Sequence, residues 1–365
     1  MKYMWMMLFF ALPFVALAYI GWHVWTLVPL PRLWRGVLIG IGVACFLMTF
    51  LNFSRTTDRM PLWLGQLTYD ISNSSLFILL YLVIIFLLLD QGCLIRLIPR
   101  QLVHQNLYMT IAITGVLFII FLTGNIIYHH KVREELHLTT HKPLAKPVKL
   151  VMMSDLHLGY HNPKKELHRW VDMINEEKPD YVLIAGDIID MSMRPLAEEN
   201  MAEEFRHIEA PVYACLGNHE YYSGEPQAQQ FYKDAGIHLL RDTCETTGDL
   251  CIIGRDDRTN PHRKTAAKIF GEADHTKYTV VLDHQPYFLE QAEKAGIDFQ
   301  LSGHTHRGQV WPISWITDHL YECSFGQWQR GNTRYYVSSG IGIWGGKFRI
   351  GTHSEYIVAE ITHQD

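Results

Sequence analysis

The sequence predicts an α/β domain that is preceded by a bundle of four transmembrane helices. Long apolar runs dominate the first 130 residues, whereas the composition beyond Lys131 is that of an ordinary water-soluble protein. In this second part, short apolar runs alternate with amphipathic stretches, a pattern typical of strands covered by helices. We therefore divide the chain into a transmembrane domain over residues 1–130, a linker over 131–147 and a second domain over 148–365.

The apolar part contains four stretches long enough to cross a bilayer, which takes about 20 helical residues. The predicted spans are Tyr3–Val28, Gly36–Phe53, Leu67–Leu89 and Leu107–Tyr128. The first run is too long for a signal peptide, so we expect it to remain in the mature protein. Loops on the side of the two termini carry slightly more lysine and arginine, which predicts a multi-pass protein of the cytoplasmic (inner) membrane with its second domain in the cytoplasm.

Charge and cysteine content exclude two classes of protein. The net charge is −5 and basic blocks are absent from the sequence, so we expect no nucleic-acid partner. The six cysteines form no CxxC pair and no disulfide framework, which is typical of small apolar side chains in a reducing compartment. Asp70 and Asn73, at the start of the third span, are either functional polar groups or helix-start residues, and the sequence leaves both readings open.

The second domain is predicted to contain eight strands and three helices. The strands are Val148–Met153, Tyr181–Ala185, Val212–Leu216, Cys251–Gly254, Thr279–Asp283, Phe299–Ser302, Tyr335–Ser338 and Tyr356–Ile361. The helices are Pro163–Glu177, Pro195–Ile208 and Tyr287–Ala295. Thr139–Pro147 holds two prolines and few apolar residues, and it is the natural linker between the membrane part and the second domain.

Polar clusters follow five of these strands. They are Asp155-Leu156-His157, Gly186-Asp187-Ile188-Ile189-Asp190, Gly217-Asn218-His219-Glu220, Asp283-His284 and Gly303-His304-Thr305-His306. Because the carboxyl ends of strands meet at one edge of an open α/β sheet, we expect the clusters to converge. Their oxygen and imidazole donors suit manganese, iron, zinc and similar divalent ions. Any one cluster has an ordinary explanation as well, since aspartate often caps a turn or a helix.

The order DxH, GDxxD, GNHE, a later histidine and GHxH resembles the calcineurin-like metallophosphoesterase family over residues 148–362. Three stretches look most like its membrane-associated bacterial branch: Gly217–Tyr222, Ser302–Gln309 and Ser338–Gly351. That branch includes phosphodiesterases and, more distantly, enzymes that cleave UDP-2,3-diacylglucosamine. The resemblance implies a four-layer α/β/β/α sandwich with two divalent metal ions between its sheets, manganese being favoured over iron, zinc or magnesium.

The resemblance also implies a role for each site residue. One ion would be held by Asp155, His157 and His306, the other by Asn218, His284 and His304, and Asp187 would bridge the two. The two ions would share the water that attacks the phosphorus atom. The expected catalytic groups are His219, which would donate to the phosphoryl or leaving oxygen, and Asp190, which would orient it. Asn218 and His219 would also contact the substrate.

Arg307 departs from the branch, in which a glycine commonly follows GHxH. An arginine here either contacts the substrate phosphate or forms a surface salt bridge. Glu220 is expected outside the metal shell. Four aromatic residues either line the pocket or pack in the core, namely Tyr221, Tyr222, Trp344 and Phe348.

We therefore expect a membrane-anchored phosphoric ester hydrolase. Its predicted substrate is a phosphodiester, phosphomonoester or pyrophosphate of a lipid or a lipid-linked nucleotide, and membrane lipids are its predicted partners. Two alternatives stay open at this point. The enzyme could act on soluble nucleotides and be merely localised to the membrane, or the chain could be a non-catalytic membrane sensor or scaffold.

Overall fold

The computed structural model describes the backbone of residues 2–364 and the side chains of residues 11–364. The chain forms two units, one of Met1–Thr123 with Gly345–Lys347 and one of Gly124–Trp344 with Phe348–Asp365. The last turns of the final apolar helix thus belong to the second unit. This division lies earlier in the chain than the predicted boundary at residue 130.

The first unit is helical. Its helices are α1 Lys2–Leu27, α2 Arg32–Leu47, α3 Thr49–Phe53, α4 Leu62–Leu94 and α5 Leu107–His129, the last of which runs on into the second unit. Prolines precede α2 and α4, where a missing N–H costs no helical hydrogen bond. Asn73 donates to the carbonyl of Tyr69 in its own helix, and Asp70 pairs with Lys347 at 3.2 Å.

Three of the four predicted spans are confirmed as helices long and apolar enough to cross a membrane. They are Arg32–Phe53, Leu62–Leu94 and Leu107–His129. Helix α1 occupies the first predicted span, but its side chains before Ala11 lie outside the described residues. Its described apolar part, Ala11–Leu27, is shorter than the other three helices.

Two six-stranded sheets form the centre of the second unit. The strands are β1 Lys131–Thr140, β2 Val148–Met153, β3 Tyr181–Ala185, β4 Val212–Cys215, β5 His238–Leu239, β6 Thr243–Thr247, β7 Leu250–Gly254, β8 Tyr278–Leu282, β9 Phe299–Ser302, β10 Gly326–Arg330, β11 Thr333–Val337 and β12 Ser354–His363. The first sheet has the order β1-β12-β2-β3-β4-β5, and the second has the order β10-β11-β9-β8-β7-β6. Strands β2 to β5 are mutually parallel, as are β7, β8, β9 and β11.

Helices cover the outer face of each sheet. On the first sheet they are α6 Lys164–Glu176, α7 Arg194–Glu198, α8 Met201–Phe205 and α10 Glu225–Asp234, and on the second they are α11 Ala266–Gly271 and α12 Glu290–Lys294. Two further helices, α9 Asn218–Ser223 and α13 Ile313–Leu320, follow β4 and β9 in the chain. Alternate residues of each strand face opposite sides. Leu183 and Val280 therefore pack in the core between the sheets, whereas Val182 packs under α6 and Val281 packs under α11. This arrangement agrees with the predicted α/β/β/α layers.

The structure corrects two predicted elements. Lys131–Thr140, assigned to the linker, is strand β1, which pairs with β12 along its whole length. Its exposed side carries charged residues, as is common on edge strands. On its other side Leu136, Leu138 and Thr140 are buried. The predicted helix Pro195–Ile208 is split into α7 and α8 because Asn200 adopts a left-handed conformation between them.

Candidate metal centre

The carboxyl ends of five strands deliver the candidate ligands. Strand β2 leads into Asp155 and His157, β3 into Asp187, β4 into Asn218, β8 into His284, and β9 into His304 and His306. These strands come from both sheets, and the polar side chains meet where the strands end. All seven of these residues are buried apart from His304, which is half-buried.

Potential metal-binding atoms lie close together in three overlapping groups. The groups are Asp155 with His157 and His306, His157 with Asp187 and His219, and Asp187 with His284 and His304, with the atoms of each group within 4.8 Å of one another. His306 Nε2 lies 3.3 Å from Asp155 Oδ1, and His284 Nε2 lies 3.0 Å from Asp187 Oδ2. Asp187 is shared by two groups, a position that suits a bridging carboxylate.

The backbone at these residues is strained. Asp155, His157, Asp187, His304 and His306 all have positive φ, between 46° and 69°. Residues with a Cβ rarely adopt this conformation, and such strain is concentrated at functional sites. At the strand ends, the turns with positive φ bring the side chains of these residues close to one another.

Two glycines make room for the carboxylates. A Cβ on Gly217 would lie 2.1 Å from Asp187 Oδ1, and a Cβ on Gly303 would lie 2.3 Å from Asp155 Oδ2. Both distances are far shorter than atoms tolerate. Glycine is therefore required where the neighbouring loops pass closest to the two carboxylates.

Some buried nitrogen and oxygen atoms that could bind a metal have no hydrogen-bond partner within the described residues. Two of these atoms are His284 Nε2 and Asn218 Oδ1. His284 Nδ1 lies 2.7 Å from the carbonyl oxygen of Ala185 and donates to it, so in the neutral imidazole Nε2 is a lone pair, 3.0 Å from Asp187 Oδ2. A buried polar atom without a partner is costly, and a bound cation would satisfy both atoms. The residues present thus fit divalent metal ions.

The buried carboxylates control protonation at the centre. Burial lowers the pKa of His157, but Asp155 and Asp190 oppose it and raise this pKa to about 10. Burial and the nearby charge of His284 lower the pKa of His304 to about 4. A histidine binds a metal only in its neutral form, so bound cations would have to displace the proton of His157.

His219 and Asp190 lie side by side beside the candidate ligands. His219 Nδ1 is 3.3 Å from Asp190 Oδ1 and 3.2 Å from the Asp190 carbonyl oxygen. Burial acts to raise the pKa of Asp190, but its contacts with His157 and His219 hold that pKa well below its usual range. The backbone N–H of His219 also donates to Asp187 Oδ1 at 2.9 Å, which fixes the position of the histidine.

Glu220 stabilises two loops of the site through hydrogen bonds to their backbone. It is fully buried, and its carboxylate accepts hydrogen bonds from the backbone N–H groups of Asp187, Ile189 and Gly217. It thereby joins the loop after β3 to the loop after β4. That Glu220 lies outside the metal shell stays a prediction.

Arg307 and the aromatic residues differ in their surroundings. The Arg307 guanidinium lies 4.5 Å from the centre of the Phe325 ring, and the ion pairs found among the described residues do not include it. Tyr222 is half-exposed with its ring 5.2 Å from that of His219. Tyr221 instead donates to Asp256 at 2.5 Å. Of these two, Tyr222 is the one beside the site.

Arg349 is a residue beside the site that sequence reasoning missed. Its fully buried guanidinium donates to the backbone carbonyls of four residues in the loops around the site, namely His306, Ser339, Gly340 and Gly342. Gly340 in turn lies against Asp155. Since most arginines are exposed, only the glycine-rich surroundings of Arg349 could have hinted that backbone carbonyls needed a buried donor.

Comparison with known proteins identifies the domain that carries this centre. Residues 148–308 match the family described as calcineurin-like phosphoesterase. The domain belongs to that family. The family implies a dimetal centre, and the candidate ligands of this calcineurin-like phosphoesterase domain lie where the polar clusters converge.

Several proteins named as metallophosphoesterases are similar to this chain. An uncharacterised metallophosphoesterase of Campylobacter jejuni is 31% identical over 225 residues, which cover 60% of each chain. A transmembrane protein with metallophosphoesterase domain from Danio rerio is 27% identical over 355 residues, 89% of this chain and 79% of its own length. A 5′-nucleotidase precursor from Thermus thermophilus is more distant, with 14% identity, a TM-score of 0.37 and coverage of 59% of this chain and 54% of its own. The apolar helices and the Danio rerio relative together suggest membrane association.

Proposed function

We propose that this chain is a membrane-bound, metal-dependent phosphoesterase that hydrolyses a phosphate ester or anhydride of a lipid or lipid-linked nucleotide. The observation that carries the proposal is the convergence of buried metal-binding atoms, among them His284 Nε2, which faces Asp187, and Asn218 Oδ1, which has no hydrogen-bond partner within the described residues. Family membership supports the same class of reaction.

The proposed ligands divide between two divalent ions, of which manganese is the favoured kind. Asp155, His157 and His306 would hold one ion, Asn218, His284 and His304 would hold the other, and Asp187 would contact both. When bound, the ions would supply Lewis acidity that stabilises charge on the phosphoryl oxygens and lowers the pKa of water. Asn218 is uncharged, so it binds a cation without neutralising it.

His219 is the proposed proton donor. Its Nδ1 faces the Asp190 carboxylate, which fixes the ring and leaves Nε2 to donate to a phosphoryl or leaving oxygen. The low pKa of Asp190 keeps that carboxylate charged at neutral pH, so it is a strong hydrogen-bond acceptor for the imidazole N–H. His219 is 8% exposed, so little water can compete with the substrate for its hydrogen bond.

The short connection between helix α5 and strand β1 supports a lipid substrate. Strand β1 begins at Lys131, two residues after helix α5 ends at His129, so a long flexible tether is absent from this part of the chain. A domain attached so closely to an apolar helix can reach phosphates at a membrane surface. The slight excess of basic residues on the side of the termini supports a cytoplasmic location.

Phosphate release by the purified full chain tests the proposal. The substrates would run from p-nitrophenyl phosphate and its diester to nucleoside diphosphate lipids, with Mn²⁺ or after chelation. We expect metal-dependent turnover that His219→Ala reduces by about a hundredfold or more, the range of general acid catalysis. His262→Ala, at an exposed histidine, is the matched control and should retain activity.

The outcomes separate the alternatives. Turnover of lipid esters in preference to soluble ones supports the whole proposal. Turnover of soluble nucleotides alone would overturn the lipid substrate but keep the enzyme. No turnover with any metal would point to a sensor or scaffold.

A further inference from the structure

The segment after the last candidate ligands presents a row of large apolar side chains to solvent. Trp311 is 37% exposed, Trp315 64%, Ile316 57% and Leu320 65%. Ile316 and Leu320, four residues apart, share one side of α13, and the ring of Trp315 lies 5.3 Å from that of Trp311 in the turn before the helix. We call these four side chains the Trp315 face. Contiguous exposed apolar groups of this kind mark interaction sites rather than ordinary surface.

The Trp315 face is exposed on a helix that is firmly held. The inner side of α13 buries Ser314, whose backbone packs so closely on Gly308 that a Cβ there would lie 2.5 Å from the Ser314 nitrogen. Asp318, near the end of the helix, accepts a hydrogen bond from Ser324. The exposure of the tryptophans is therefore a fixed feature of this surface.

The contacts of Trp311 place this face close to the last apolar helix. The backbone N–H of Trp311 donates to the carbonyl of Ile350 at 2.7 Å, and the N–H of the adjacent Arg349 donates to the carbonyl of Gly124 at 2.9 Å. Gly124 lies in α5, five residues before the helix ends at His129, or about 7.5 Å at 1.5 Å per residue. Trp311 is thus two backbone hydrogen bonds from the apolar part of a candidate membrane span.

We propose that the Trp315 face lies in the interfacial layer of the bilayer and holds the metal-binding loop at the lipid surface. Tryptophan side chains with apolar neighbours are typical of helices lying in this layer, where one edge of the ring stays hydrated. His304 and His306 precede Trp311 by a few residues, so a phosphate in the headgroup layer comes within reach of the site. The inference rests on the proposed function in naming a membrane phosphate ester as substrate.

Cross-linking tests the lipid contact without needing activity. The full chain would carry photoreactive benzoylphenylalanine at position 315, in vesicles of phosphatidylcholine and phosphatidylglycerol with tagged acyl chains. We expect tagged lipid on the protein after illumination. Position 209 is the control, because Glu209 is exposed and precedes β4, at the opposite end of that strand from the site. Equal labelling at both positions, or a protein cross-linked at position 315 in place of lipid, would overturn the proposal.

Kinetics on two kinds of substrate tests the consequence for catalysis. For Trp315→Ser with Ile316→Ser, we expect the KM for a phosphate ester embedded in vesicles to rise about tenfold, equivalent to about 1.4 kcal/mol. The kcat/KM for soluble p-nitrophenyl phosphate should be unchanged, which also shows that the variant folds. An unchanged KM on vesicles would contradict the proposal. A chain that hydrolyses neither substrate contradicts the proposed function instead, and cross-linking still decides the lipid contact.

Discussion

The guanidinium of Arg349 donates a hydrogen bond of 2.9 Å to the backbone carbonyl of His306, a candidate metal ligand. Its second nitrogen donates to Ser339, Gly340 and Gly342, so one side chain fixes the loop after β9 and the loop after β11. Burial lowers the pKa of Arg349 to about 10, although Glu355 opposes the shift. The side chain thus remains charged at neutral pH, and its donors are matched by carbonyl oxygens.

Arg349→Met should destabilise the second unit by about 3 kcal/mol or more, because several buried carbonyls would lose their donor. It should also weaken Mn²⁺ binding, since the backbone of His306 loses its support. Denaturant unfolding of the full chain in detergent and metal titration measure the two effects. Arg206→Met, at an exposed arginine, should change neither. An Arg349→Met chain as stable as the native one would contradict the positioning role.

Asp190→Asn and His219→Ala should have strongly non-additive effects. Asp190 is proposed to act by orienting His219, so removing either residue should lower kcat by about a hundredfold or more. The double variant should be little worse than His219→Ala alone. Steady-state kinetics of the four proteins in a double-mutant cycle measures this coupling. Additive losses would show that Asp190 acts independently of His219.

Gly303→Ala should abolish binding of one metal ion. The added Cβ would lie 2.3 Å from Asp155 Oδ2, so either the carboxylate or the loop must move away. Elemental analysis of the purified chain measures the occupancy. Gly271→Ala is a matched control, because a Cβ there meets no atom within 4 Å. Full occupancy in Gly303→Ala would mean that Asp155 is not a ligand.

Glu177 should contribute to stability in a pH-dependent way. The Arg133 guanidinium donates to its carboxylate at 2.6 Å, with Lys149 nearby, and these contacts lower the pKa of Glu177 from 4.5 to about 2. Because the folded-state pKa is the lower one, this contribution is present above pH 4.5 and is lost as the pH falls towards 2. Solvent screening limits it to about 1 kcal/mol.

Glu177→Gln should therefore be less stable than the native chain at neutral pH and lose less stability on acidification. Denaturant unfolding at a series of pH values measures the difference. The exposed neighbour, tested as Glu176→Gln, serves as the control. Parallel stability curves for the native chain and Glu177→Gln would contradict the pairing with Arg133.

Sequence patterns predicted the elements that are buried on both faces. Strands β2, β3 and β9 match their predicted bounds because parallel, covered strands are continuous apolar runs. The short edge strands β5, β6 and β10 were missed, since their residues are largely exposed and have no such run. Strand β1 was missed because its exposed charges resemble those of a linker.

The candidate site was predictable only in part. Asp155, Asp187 and His306 stand in motifs at strand ends, so their convergence could be inferred from strand geometry. Arg349 could not be found in this way, because its partners are backbone carbonyls brought together from distant loops. The surroundings of the Arg307 side chain could not be predicted from the sequence either, because its stacking on Phe325 depends on the turn after β9.

The most direct test measures bound metal and hydrolysis on the same sample of full chain, chelated and then reloaded with Mn²⁺. We predict two ions per chain by elemental analysis, as the family's dimetal centre implies, with p-nitrophenyl ester hydrolysis that appears on reloading. Asp187→Asn, which removes the proposed bridging charge, should bind fewer ions and hydrolyse nothing. Undiminished hydrolysis by the chelated protein, or a native chain that binds no metal, would contradict a metal-dependent phosphoesterase.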